Sequence, residues 1–192
     1  ARAGGAWLAA APEQRRLAVL LNRHDLSDRG DDEVTTRGWV ALESVSGRPP
    51  AGSPPTRGFN LVEVTAHTAR VVSWNGLESR TVELEPGTHM IAHDDVDDPE
   101  TARITRWLPE FRGAASEPPA DQDAWWREWL DIVERSADLA GDDPAAIIRR
   151  QSFEGIPSYS LLVCVATVGR EEFDVRDAPL TTPGEWTPAP LS

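Results

Sequence analysis

The feature that most constrains this chain is a close succession of short strand-like runs in its middle. Phe59-Asn60-Leu61-Val62-Glu63-Val64 and Arg70-Val71-Val72-Ser73-Trp74 alternate as hairpin strands do. Asn75-Gly76 follows, a pair suited to a two-residue type I′ turn because both of its positions need φ > 0. It leads into Thr81-Val82-Glu83-Leu84. Connections this short admit only antiparallel neighbours, since parallel pairing needs a crossover of about a dozen residues or more. An antiparallel meander is predicted.

The flanking segments extend this frame. Trp7-Leu8-Ala9 and Leu17-Ala18-Val19-Leu20-Leu21 are expected as neighbouring strands, the second continuously apolar and so buried on both faces. Trp39, Val40, Leu42 and Val45 recur at helical spacing before the breaker Gly47-Arg48-Pro49-Pro50. Pro86-Gly87 turns the chain into a short strand over 88–93. Asp98-Pro99-Glu100 opens a helix carrying Ile104, Trp107, Leu108 and Phe111, because it combines a capping side chain, an N-terminal proline and an early acid. Gly113 to Ala120 is a connector. A longer helix with Trp125, Trp129, Ile132, Val133 and Leu139 on one face comes next, and Asp143-Pro144 caps a third helix through Ile147 and Ile148.

The run Tyr159 to Val168 is the most hydrophobic in the chain, and its length and valine content favour a central buried strand. Strands at both ends enclosing a helical segment predict an α+β fold, a layered αββα-type sandwich with mainly antiparallel sheets. Its central strands would include 17–21, 59–64 and 159–168. The 192 residues suit a single domain over 1–192 with an extended Pro-rich tail at 176–192.

Composition excludes several functions. The net charge of -13 repels phosphate backbones and anionic surfaces, so nucleic acid is not an expected partner. All 19 strongly basic residues are Arg, which removes Schiff-base lysines and Lys general bases. The single Cys164, set in an apolar run, allows no internal disulfide and reads as a core residue. No apolar run approaches the ~20 residues that cross a bilayer, so no transmembrane segment and a cytoplasmic location are expected. The chain enters an apolar stretch directly from Ala1, which suggests an upstream segment.

His89 and His93 precede Asp94, Asp95, Asp97 and Asp98, a donor set that raises the question of a metal. On a strand, however, the two imidazoles would lie roughly 13 Å apart at about 3.3 Å of rise per residue, so no metal site is expected. His93 is instead expected as a hydrogen-bond donor. Asn22-Arg23-His24-Asp25 leaves a buried strand, where side chains can be held rigidly yet exposed. Trp125, Trp126 and Trp129 read as packing. No Gly-x-Ser-x-Gly elbow or His-Glu-x-x-His zincin motif occurs.

An ordered series runs through residues 4 to about 112: Gly4-Gly5-Ala6-Trp7-Leu8, Leu20-Leu21-Asn22-Arg23, Thr36-Arg37-Gly38, Gly58-Phe59-Asn60-Leu61 and Gly87-Thr88-His89-Met90-Ile91-Ala92-His93. In order and interval it resembles the NRDE (transport and Golgi organisation protein 2) family, particularly its actinobacterial members. The resemblance implies an N-terminal-nucleophile-hydrolase-like fold lacking its N-terminal strand segment. It also implies a role in haem trafficking or in acyl-coenzyme A and lipid homeostasis, with a small-molecule ligand held in a cleft.

The ligand-cleft candidates are Asn22, Arg23, Asn60, His89 and His93. Haem and acyl-coenzyme A are the ligands implied, and no resident cofactor is expected. The alternative is an N-terminal-nucleophile amidohydrolase or acyltransferase whose catalytic Cys lies upstream. This chain itself supplies no nucleophile. Ala6 stands where the family usually has Thr, and Ile91-Ala92-His93 replaces its usual Leu-Ser-Asn.

Overall fold

The structure is a computed structural model that describes residues 7–48, 50, 52–114, 125–153 and 156–192. The fold is α+β, with antiparallel pairing between all strands of its main sheet. The chain divides into two compact units. The first comprises Ala1–Gly87, Ile91–Val96 and Thr167–Asp174. The second comprises Thr88–Met90, Asp97–Ala166 and Val175–Ser192.

The first unit is built on a five-stranded sheet in sequential order: β1 (Leu8–Ala11), β2 (Arg16–Asn22), β3 (Phe59–Thr65), β4 (Ala69–Trp74) and β5 (Ser79–Glu83). The predicted meander is therefore present, extended by two strands at its N-terminal side. Helix α1 (Gly38–Val45) covers one face. Its Val40, Ala41 and Val45 pack with Ala18 and Leu20 of β2, Phe59 and Leu61 of β3, and Val72 and Trp74 of β4. Direct cross-strand partners share a face, so this side of the sheet is the core side. On it Glu63 is buried and accepts a 2.5 Å hydrogen bond from Ser44 Oγ of α1 while pairing with Arg70 at 2.7 Å.

One turn differs from its prediction. Trp74 pairs with Ser79, leaving four residues in the β4–β5 loop rather than two, and only Gly76 has positive φ there. Asn75 Oδ1 accepts the backbone N–H groups of Leu77 and Glu78, each at 2.9 Å. That side-chain turn satisfies the loop without the two left-handed residues of a type I′ turn.

The second unit contains α2 (Ala102–Ala114), α3 (Arg127–Ser136) and the two-stranded sheet of β6 (Arg150–Phe153) and β7 (Ile156–Tyr159). Ile104, Trp107 and Leu108 of α2 and Ile132 of α3 are buried, as their helical spacing predicts. Phe111 and Trp129 meet edge to face at 5.3 Å, and Trp125 packs on Trp129 in the same way at 5.7 Å. Of the predicted connector, Gly113 and Ala114 belong to α2, and 115–120 lie outside the described residues.

Five expectations are corrected. The expected helix after Asp143 is a series of turns, because Asp143 Oδ1 accepts the N–H of Ala145 at 2.8 Å and its carbonyl accepts from Ala146 at 3.0 Å. The run 159–168 is no central strand. It breaks at Ser160 and Leu161, where the carbonyls bond Gly184 and Leu180, and resumes as β8 (Leu162–Val168), which among the described residues pairs with β9 (Phe173–Pro179) alone. Cys164 is consequently half-buried rather than core. Residues 88–93 form no strand. The proline-rich tail also contributes more than expected, since Ala178 and Leu180 are buried and Leu180 bridges Pro188.

Candidate functional site

The end of the five-stranded sheet where β2 leaves and β3 enters brings together Arg23 and Asn60, two of the polar residues singled out from the sequence. Asn60 is fully buried on β3, opposite Leu21 and Ser73. Its Oδ1 accepts from Ser73 Oγ at 2.7 Å and from Arg23 Nη1 at 3.3 Å, while Nδ2 donates to the carbonyls of Ala92 and Asp94 at 3.3 and 2.7 Å. A buried amide is stable only when its donors and acceptors are met, and Asn60 meets them by tying the 91–96 segment to the sheet. Arg23 extends this network through Nη2, 2.7 Å from Asp95, whose second oxygen lies 3.1 Å from Arg80. Its side chain is 19% exposed.

Beside it lies a tighter knot around Asp25. One Asp25 oxygen accepts from the N–H and Oγ of Ser27 at 2.8 and 2.6 Å, and the other accepts the N–H of Gly58 at 3.0 Å. Burial would push this carboxyl up, but the Ser27 and Gly58 hydrogen bonds and the Arg57 charge together hold it below its ordinary range. Arg37, just before α1, donates to the Gly58 carbonyl at 2.7 Å and stacks over Trp7. Burial pushes its guanidinium down, with the Asp25 charge acting in the opposite sense. Gly58 is required sterically, since a Cβ there would lie 2.7 Å from the His24 carbonyl oxygen.

Of the five expected residues, the structure brings Arg23 and Asn60 together. Asn22 pairs with Phe59 and so lies on the opposite face from Asn60, which pairs with Leu21; one step along a strand reverses the face. His93 is exposed, with Nε2 3.1 Å from Asp94 Oδ2. His89 belongs to the second unit, where Nδ1 lies 2.8 Å from Asp97 Oδ2. Asp97 also accepts from the Met90 N–H at 2.7 Å and pairs with Arg112, and it holds a left-handed φ of 55°. Among the described residues no group of three or more His, Cys, Asp or Glu could hold a metal, and no helix is long and apolar enough to cross a membrane.

No family model, curated protein or solved structure matches this chain.

Arg37 and Ser73 are contributors to this end of the sheet that the sequence did not single out, and Asp25 was marked only as part of the Asn22–Asp25 strand exit. For Ser73 the signal was available, because the alternation of β3 and β4 places it opposite Asn60 once the register is known. Arg37 carried a weaker signal, its place in Thr36-Arg37-Gly38 directly before a helix. An open groove of about 370 Å³ between α2 and α3 contains none of the five candidates. Glu110, Glu128 and Asp131 line it with Arg135, a lining unsuited to a carboxylate ligand.

Proposed function

We propose that this chain is an NRDE-like binding protein that takes a hydrophobic carboxylate or a haem- or acyl-type ligand at the Arg23–Asn60 end of its five-stranded sheet. The observation that carries this reading is the orientation of Arg23. Asn60 and Asp95 hold its guanidinium at two nitrogens while the side chain keeps 19% of its surface exposed, so the fork is already ordered. A preorganised, partly buried guanidinium binds a carboxylate at little entropic cost. The reading gains support from the convergence of Arg23, Arg37, Gly58 and Asn60, which come from three separate pieces of the family-like series. An N-terminal-nucleophile-like sandwich is the architecture proposed with it.

The test is calorimetric titration of the protein with haem, palmitate and palmitoyl-coenzyme A, alongside Arg23→Gln. Saturable binding of at least one ligand, weakened about tenfold by the substitution, is expected from the loss of one charge-assisted contact. Absence of binding by all three, or equal affinity of Arg23→Gln and the parent, would refute the proposal.

A further inference from the structure

Two arginines of the second unit stand in an environment that none of the first unit's described arginines shares. Arg103 lies in the first turn of α2, and Arg149 precedes β6. The Nε–H group of each is buried without a hydrogen-bond partner. Arg149 is otherwise engaged, donating through Nη1 to the Asp143 carbonyl and through Nη2 to Gln151. For Arg103 no hydrogen bond or ion pair to any described residue exists.

The fold packs together the elements that carry the two. Trp107, one helical turn beyond Arg103 and on the same side of α2, donates its indole N–H to the Ala145 carbonyl at 2.7 Å. This fixes α2 against the turn that leads to Arg149. Burial, then the Arg149 charge, pushes the Arg103 guanidinium down to about 10, so it stays protonated at neutral pH. Burial likewise pushes Arg149 down, while Asp142 and Asp143 act in the opposite sense. Among the described residues no carboxylate plays that part for Arg103. Its place in the first turn, which contains no acidic residue, adds the positive end of the helix dipole to the same spot.

Both arginines are partly buried, and an unpaired buried N–H such as the Nε–H of each is costly. We infer that Arg103 and Arg149 form a binding site for an oxyanion, a phosphate or carboxylate group, at the start of α2. The anion supplies the missing counter-charge to Arg103 and accepts from its free guanidinium donors. This site is separate from the Arg23–Asn60 site and does not depend on the reading proposed for it.

The experiment follows the arginine Nε–Hε resonances of the protein by NMR during titration with inorganic phosphate, then acetate, each against sodium chloride at matched ionic strength. Saturable shifts at Arg103 and Arg149 are expected with at least one of the two anions, and the stronger one identifies the class of group. Arg103→Gln should raise the dissociation constant at least tenfold. Arg150→Gln, which removes a neighbouring exposed charge paired with Glu185, should change it less than twofold. Arg103→Lys, which keeps the charge and loses the fork, should fall between. Shifts that do not saturate, shifts reproduced by chloride, or equal weakening by Arg150→Gln would overturn the site.

Discussion

Asn60 is a polar side chain carried wholly into an interior and Arg103 one carried partly into it, and they meet opposite fates. Asn60 is completely buried with every polar atom engaged, two contacts to side chains and two to backbone carbonyls. Arg103 has a charged group, a buried Nε and no partner among the described residues. The first arrangement is self-sufficient, so Asn60 reads as an organiser that shapes the strand end and orients Arg23. The second is unfinished, and an external anion completes it. Buried polarity alone therefore does not mark a binding site; buried polarity left unsatisfied does.

The sharpest way to break this contrast is Asn60→Leu. It leaves Ser73 Oγ, Arg23 and two carbonyls without their partner, and should destabilise the first unit by about 3 kcal/mol in urea unfolding. A loss below about 1 kcal/mol would mean that Asn60 organises little.

Asp25→Ala should cost about 2 kcal/mol at neutral pH, because it orphans the N–H groups of Ser27 and Gly58. The folded carboxyl lies below its ordinary 3.8, so its contribution is complete above the unfolded value and fades as pH falls through the folded one. The gap between variant and parent should close in that acid window. A gap independent of pH would assign the loss to packing.

Arg103→Met should act in the other direction and stabilise the second unit by about 1 kcal/mol in anion-free buffer, since it removes an unpaired buried donor and keeps the apolar stem. Added phosphate should narrow that advantage by stabilising only the parent. Destabilisation in anion-free buffer would show that Arg103 is already satisfied, and would erase the contrast with Asn60. The smallest effect belongs to His93→Ala, expected within about 0.5 kcal/mol because the side chain is 58% exposed and its partner among the described residues is Asp94 at the surface.

Local pattern made much of the first unit, and one helix face of the second, legible. Period-two alternation marked β3 and β4, an apolar run marked β2, and helical spacing marked α1 and the buried face of α2, because each records which side of an element meets a core. Gly58-Phe59-Asn60 and Asn22-Arg23 were likewise visible as strand-end residues. Tertiary structure decided the rest. Whether Asn22 or Arg23 would face Asn60 depended on the β2–β3 register, which a shift of one residue would reverse. Whether 159–168 would be central depended on its neighbours: carbonyls of Ser160 and Leu161 bond Gly184 and Leu180, which interrupts the run where hydrophobicity alone would continue it. Arg103 and Arg149 stand 46 positions apart in sequence, and the charge conflict between them arises only when Trp107 docks on the turn at Ala145. Periodicity reports on the faces of single elements, whereas that conflict is a property of two elements packed together.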